Sequence, residues 1–281
     1  MAPKTKGLLF VLAAALLWSS GGIGIKSIPD SPLKVTFYRS LFAAIVLLLA
    51  FRPKPRWNVP FIIAIVSYAS CLTTFVTATK LTTAANAIFL QYSGVIWVLI
   101  FSPIFLKEPL RRRDIISIVI ALFGMALFFA GKLAAGGGAG NTIALLSGVF
   151  FAALIISLRK GHESAESAVT YGNLLASLAI LPAIHNDLPL SSRSLLVLIL
   201  LGVFQIGAAY ALFVRGLRYV TATQASITGM IEPVANPIWV FLFLGERPSG
   251  YAILGAGIVL IAVLLSTVKE TPAAEAVAAP D

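Results

Sequence analysis

The sequence predicts an all-α integral membrane protein of ten transmembrane helices, built as two inverted five-helix repeats. Three observations carry that expectation. The composition is too poor in charge for a soluble surface, ten apolar runs are long enough to cross a bilayer, and Thr83 to Leu127 aligns without a gap on Thr221 to Leu265.

With 59% hydrophobic and 11% charged residues in 281 positions, the chain has less than half the charged fraction of about 25% usual for a soluble globule. Its formal charge of +10 raises nucleic acid as a partner, but the basic residues stand at the ends of apolar runs. They mark the faces of a membrane, so no nucleic acid is expected and the lipid bilayer is the expected surround. The single cysteine, Cys71, lies inside an apolar run, which excludes an intramolecular disulfide or a thiolate cluster. His162 and His185 fall in connecting segments. No His/Asp/Glu cluster for a metal or a hydrolytic centre is therefore expected, and no cofactor.

A spanning helix needs about 20 apolar residues. Runs of that kind cover 7–26, 32–51, 58–80, 83–106, 114–131, 142–160, 166–184, 193–215, 220–244 and 249–268. The first follows a basic lead, as in a secretory signal, but no small-x-small cleavage site closes it and nine more runs follow, so it is read as the first membrane helix. The first repeat then occupies residues 1–133, a glycine-rich link AAGGGAGN 134–141, the second repeat 142–268 and a disordered cytoplasmic tail 269–281. Trp57 and Tyr251, at run ends, read as interfacial anchors.

With a cytoplasmic N-terminus, fourteen basic residues fall inside (Lys4, Lys6, Arg52, Lys54, Arg56, Lys107, Arg111, Arg112, Arg113, Arg159, Lys160, Arg215, Arg218, Lys269) and six outside (Lys26, Lys34, Lys80, Lys132, Arg193, Arg247). That bias places the chain in the cell (inner) membrane with both termini cytoplasmic. In the repeat, Thr83, Ala84, Ala87, Phe105, Leu106, Glu108, Ile115, Ile120, Leu122 and Leu127 meet identical residues, and Lys80 meets Arg218. Five runs per half is an odd number, so the second half enters from the opposite side. Inverted halves of this kind enclose a midplane substrate site in many secondary transporters.

Glu232 is the first candidate for function, because a charge at bilayer centre costs about 3 kcal/mol on the most lenient scale and usually faces a cavity or a partner. The alternative is a protonated acid in a kinked helix. Pro233 and Pro237 have no N–H, so the carbonyls of Gly229 and Pro233 lose their helical partners. Helical spacing puts Gln224, Thr228, Glu232 and Trp239 on one broad face. Arg39 is the other charge in the interior of a run, a charge partner for Glu232, a carboxylate anchor, or a side chain snorkelling outward. Polar and aromatic residues gather at similar depth: Ser67, Tyr68, Ser70 and Thr74, then Gln91, Tyr92, Ser93 and Trp97, then Gln205 and Tyr210. Asn86, Leu90, Ser93 and Trp97 share a face that reads as a pocket wall with an aromatic lid. In WSSGGIGIK, Ser20 and Gly24 favour close packing, with Trp18 packed or turned into the path. Glu108 and Glu246 read as structural groups holding tight turns.

The paired signatures from Lys80 through Leu106-Lys107-Glu108, and from Arg218 through Glu232-Pro233 to Leu244-Gly245-Glu246, resemble the drug/metabolite transporter superfamily and its EamA branch. Within that branch the chain is most similar to bacterial aromatic amino acid exporters. The resemblance implies export of small metabolites through a cavity lined by the first, third, fourth, sixth, eighth and ninth helices. It departs from the pattern where Gly94-Val95 stands in place of Glu232-Pro233, and where Pro103 comes later.

The expected function is secondary export of a small amphipathic metabolite by alternating access, with aromatic amino acids as the best candidate. Tyr68, Tyr92, Trp97 and Trp239 would wall the ring, Glu232 would take the ammonium, and Gln91, Gln205 or Ser93 the carboxylate, with Thr228 and Tyr210 beside them. A titrating Glu232 would couple export to protons; a facilitator is the alternative. Efflux of cationic or hydrophobic drugs is the rival within transport. An integral-membrane enzyme is more remote, because Glu232 is the single acid in the interior of a run, and no ring of like groups suggests a channel.

Overall fold

The computed structural model describes residues 2–130, 137–235, 239 and 249–267, which are helices and short connections without a strand. The first repeat contributes α1 (Pro3–Trp18), α2 (Gly21–Lys26), α3 (Pro32–Phe51), α4 (Val59–Leu81), α5 (Ala84–Gln91), α6 (Gly94–Leu106) and α7 (Arg112–Phe128). The second contributes α8 (Gly138–Lys160), α9 (Ala165–Ile184), α10 (Ser192–Leu200), a π-helical stretch (Leu201–Ala208), α11 (Ala209–Gly216), α12 (Ala222–Gly229) and α13 (Gly250–Thr267). Eight described segments are long and apolar enough to cross a membrane. α7, at 17 residues, is shorter than those eight, and the run expected over 220–244 is described only to 235 and at Trp239. The tail 269–281, Pro237, Glu246, Lys132, Arg247 and residues 134–136 of the expected link lie outside the described residues. Residues 138–141 of that link belong to α8 instead.

Local chemistry sets the helix starts. Ser31 and Asn58 accept from the third residue of their helices, and a proline occupies the first turn of α3 and α4, where its missing N–H costs nothing. The repeat recurs at this level. Thr83 Oγ1 accepts from Asn86 N (3.0 Å) to cap α5, and its counterpart Thr221 Oγ1 accepts from Gln224 N (3.2 Å) to cap α12.

The long helices pack across the two halves. α4 lies on α8, α1 on α11, α3 on α9 and α7 on α13, and further contacts join α5 and α6 to α8 and α12 to α1. Exchanging each element for its counterpart in the other half leaves these pairings unchanged. α6 crosses α8 closely: a Cβ on Gly94 would stand 2.5 Å from the Gly148 carbonyl oxygen, so only glycine admits this approach.

Polar contacts close each end of the bundle. At one end Arg159 Nε donates to Glu108 Oε1 (2.7 Å) and Arg159 Nη1 to the Leu217 carbonyl (2.7 Å), while Ala222 N donates to Glu108 Oε2 (2.9 Å). Glu108 therefore ties the first half to the start of α12, a longer reach than the local turn expected of it. Lys4 Nζ donates to the Thr267 carbonyl (3.2 Å), so α1 begins and α13 finishes together. At the other end Lys34 Nζ pairs with Asp30 (3.2 Å) and Asp187 (3.1 Å), and Tyr38 OH donates to the Leu188 carbonyl (2.7 Å).

Candidate functional site

Four membrane segments are interrupted at comparable depth. α1 gives way to α2 at Ser19–Ser20, α5 to α6 at Tyr92–Ser93, α10 to α11 through the π-helical stretch, and α12 ends at Gly229 before a short helical piece at 231–235. Each interruption frees or re-aims backbone groups. Ser19 and Ser20 hydroxyls take the carbonyls of Leu16 (2.6 Å) and Leu17 (2.8 Å). Broken helices at membrane depth are tolerated where protein or a watery cavity satisfies them, and π-bulges recur at functional sites.

A central cavity of about 30 Å³ lies where the interruptions converge. Trp18, Gln91, Gln205 and Glu232 reach it from the four broken segments, and Arg39 and Cys71 from the unbroken α3 and α4. Tyr210 and Phe151 add aromatic surface. The Trp18 ring meets Tyr210 edge-on at 4.9 Å and Phe151 at 6.4 Å. A ligand site typically holds about 300–1,000 Å³, so the cavity has room for at most a few waters.

Both charges are buried. Tyr92 OH stands 2.6 Å from the Gly229 carbonyl oxygen and 2.9 Å from Glu232 Oε2. Gly229 is four residues before Pro233, so its carbonyl is one of the two that proline leaves without a helical donor; the Tyr92 hydroxyl fills that place. A phenol has one hydrogen. Donated to Gly229, it leaves the phenol oxygen to accept from a neutral Glu232; donated to an ionised Glu232, it leaves the carbonyl bare. Arg39 is fully buried and does not snorkel. Its Nη1 reaches Gln205 Oε1 at 3.4 Å, while Nε and Nη2 have no hydrogen-bond partner among the described residues. Among the described residues it forms no ion pair with Glu232, although both line the cavity. Gln91 Nε2 donates to Ser147 Oγ (2.8 Å) and lies 3.6 Å from Cys71 Sγ.

A profile of the EamA-like transporter family matches residues 5–130 and, a second time, 138–268. The chain belongs to the EamA-like transporter family. It is similar to the pseudopaline exporter CntI of Pseudomonas aeruginosa, 25% identical over 248 residues that cover 84% of this chain and 87% of that one. It is also similar to an uncharacterized transporter of Archaeoglobus fulgidus (24% over 263 residues; 91% and 94% covered) and to the uncharacterized transporter YwfM of Bacillus subtilis (28% over 275 residues; 92% of each). A solved crystal structure superimposes with a TM-score of 0.81 over 94% of this chain and 98% of the other at 18% identity, a likeness of fold.

In this EamA-family transporter the residues singled out from sequence separate into two sets. Glu232, Arg39, Gln91, Gln205 and Tyr210 share the central cavity, and Tyr92 touches Glu232. Trp239 Nε1 donates to Ser19 Oγ (2.6 Å) at the first interruption. The rest stand elsewhere. Tyr68 packs behind Tyr210, ring centroids 4.6 Å apart, and its hydroxyl accepts from Asn173 Nδ2 (2.9 Å). Thr228 Oγ1 bonds back to the Gln224 carbonyl of its own helix (2.8 Å). Ser93 is turned to the α6–α8 crossing, where a Cβ on Gly148 would sit 2.9 Å from its Oγ.

Trp97 is no lid. It is 39% exposed and stacks on Phe101 (6.1 Å, 14°), in a lateral groove of about 590 Å³ between α4, α6 and α8. Asn86, assigned to the same wall, bonds Thr82 and Asn141 at the helix ends. Sequence reasoning missed Phe151, Phe75 and Leu72 as lining residues, since apolar side chains in apolar runs carry no mark. Cys71 was read only for what it excludes. Among the described residues no group of three metal-ligating side chains occurs.

Proposed function

We propose that this chain is a secondary transporter that exports small amphipathic metabolites, aromatic amino acids foremost, by alternating access at the central cavity. The observation that carries the reading is the convergence of four interrupted helices on a buried acid, a buried guanidinium and an aromatic wall. The similar CntI is described as a pseudopaline exporter, which favours outward movement of a small metabolite. The basic-residue bias favours the cell (inner) membrane with both termini cytoplasmic, and the pairing of helices across the halves is what two inverted repeats with ten crossings would give.

In this reading Glu232 receives the substrate ammonium, and Trp18, Tyr210 and Phe151 receive its ring. The contracted cavity is a stage between two wider ones; substrate enters when interrupted helices tilt about their breaks. Tyr92 links chemistry to movement. With Glu232 neutral, Tyr92 caps Gly229 and stiffens the break; with Glu232 ionised, Tyr92 turns to the acid and the break loosens. Proton coupling through Glu232 follows from that exchange. Efflux of a bare cation is the weaker reading, because Arg39 shares the cavity and repels it.

The test is efflux from liposomes loaded with L-phenylalanine, with and without a pH gradient. Wild type is expected to export along the gradient, Glu232→Gln to lose at least tenfold in rate and all response to pH, and Trp97→Ala to match wild type. Unchanged export by Glu232→Gln, or transport of an aromatic cation with no amino acid crossing, would overturn the proposal.

A further inference from the structure

We infer that Arg39 is the anion anchor of the cavity, and that the cargo is a zwitterion whose carboxylate docks on this guanidinium while its ammonium meets Glu232. The inference rests on the transport reading above and names the chemical class of its substrate.

The argument starts from what Arg39 lacks. A guanidinium carries five N–H donors in a planar fork, and a charged group left unpaired in a low-dielectric interior is among the costliest arrangements a protein holds. Arg39 is fully buried, yet among the described residues a single long contact, Nη1 to Gln205 Oε1 at 3.4 Å, is its only hydrogen bond. The two nitrogens without partners are Nε and Nη2. Those two present their hydrogens side by side along one edge of the guanidinium, the edge that grips a carboxylate with two parallel bonds. Gln205 holds the opposite corner, so the side chain is fixed with its open edge unfilled.

The second observation is the company Arg39 keeps. Glu232 lines the same cavity without forming an ion pair to it, and Glu232 is engaged by Tyr92. If the two charges existed to neutralise each other, the short geometry of a buried ion pair would be expected. Held apart, they match a molecule with one anionic and one cationic group. A phosphate also fits a guanidinium edge, but its greater negative charge would stand against Glu232. A single carboxylate with an adjacent ammonium leaves the filled cavity neutral.

The test measures thermal unfolding of the purified full chain in detergent with matched ligand pairs: L-phenylalanine and L-phenylalaninamide, L-alanine and L-alaninamide, together with phenethylamine and inorganic phosphate. Every acid that binds wild type is expected to bind at least tenfold more tightly than its amide. Arg39→Gln is expected to abolish that preference. Arg39→Lys keeps the charge but loses the fork, and is expected to retain the preference with weaker binding. Should Arg39→Gln not fold, the acid-against-amide comparison on wild type and Arg39→Lys decides. Amide or phenethylamine bound as tightly as the acid would overturn the inference, as would a preference that persists in Arg39→Gln or phosphate displacing the acid at lower concentration than the acid itself. A preference shown by the alanine pair and not the phenylalanine pair would leave Arg39 in this role and refute the aromatic cargo.

Discussion

Tyr92, Gly229 and Glu232 show how one side chain settles two problems at once. Proline at 233 removes a donor, and a phenol from the other half supplies it at 2.6 Å. Tyr92→Phe is expected to destabilise by about 1–3 kcal/mol, the cost of an unsatisfied buried polar group. Pro233→Ala returns an N–H to Gly229, so Tyr92→Phe made on that background should cost less, with a coupling of at least about 0.5 kcal/mol in a thermal or denaturant double-mutant cycle. Strict additivity would show that the Tyr92–Gly229 bond carries nothing. Residues that break the apolar pattern were legible from sequence for that reason: Glu232, Arg39, Gln91 and Gln205 are polar where hydrocarbon forbids it. Ser93 and Thr228 were not: the Thr228 hydroxyl satisfies itself on its own helix, and Ser93 is turned to the α6–α8 crossing.

At the scale of the element, the interruptions decide which face a side chain occupies. The fourth run reads as one helix from 83 to 106, and on one helix Ser93 and Trp97 would share a face with Asn86 and Leu90. At the break, however, Ser93 N bonds the Leu90 carbonyl (3.1 Å), Val95 N that of Tyr92 (3.1 Å) and Ile96 N that of Ser93 (3.0 Å). These are three-residue spacings, and each tightened residue advances about 20° beyond the α-helical step. The phase slips, and Trp97 swings to the lateral groove. Nothing in the local sequence announces this, since no proline stands at the break, and the π-helical Leu201–Ala208 likewise contains none. Close helix approach, in contrast, depends on glycine. Gly94→Ala would press a methyl to 2.5 Å from the Gly148 carbonyl and is expected to cost about 1–3 kcal/mol as α6 and α8 separate. Gly257→Ala, on α13 with nothing within 4 Å, is expected to be neutral or slightly stabilising. Thermal melts of both variants check the contrast.

For the whole molecule, polar ties at both ends hold the halves around the small central cavity. The Glu108–Arg159 pair and the Ala222 N–H on Glu108 close one end; Lys34 with Asp30 and Asp187 closes the other. Burial works to raise the pKa of Asp30, but hydrogen bonds from Ser194 and Lys34 and the Lys34 charge outweigh it and hold the carboxyl below the usual range. A depressed carboxylate stabilises above its unfolded pKa of about 3.9 and loses that contribution as pH falls through the lower, folded value. Stability is therefore expected to be insensitive to this tie near neutrality and to decline only in acid below about pH 4, a decline that Asp30→Asn removes in pH-dependent melts. The two-repeat organisation was readable because identical residues recur at equivalent positions, and Thr83 and Thr221 make the same cap. How small the cavity is was not readable, since that depends on side chains meeting across helices far apart in sequence.

The central claim is that Arg39 and Glu232 line a chamber that opens to water and cargo. Cys71 is the single cysteine of the chain, so Cys71→Ser gives a thiol-free background in which Phe75→Cys puts one thiol on the cavity wall. The measurement is the rate at which a membrane-impermeant thiol reagent modifies that cysteine from each side of oriented vesicles, with and without L-phenylalanine. The account predicts modification from both sides, each slowed by L-phenylalanine; a thiol that never reacts from either side, in any condition, would contradict it.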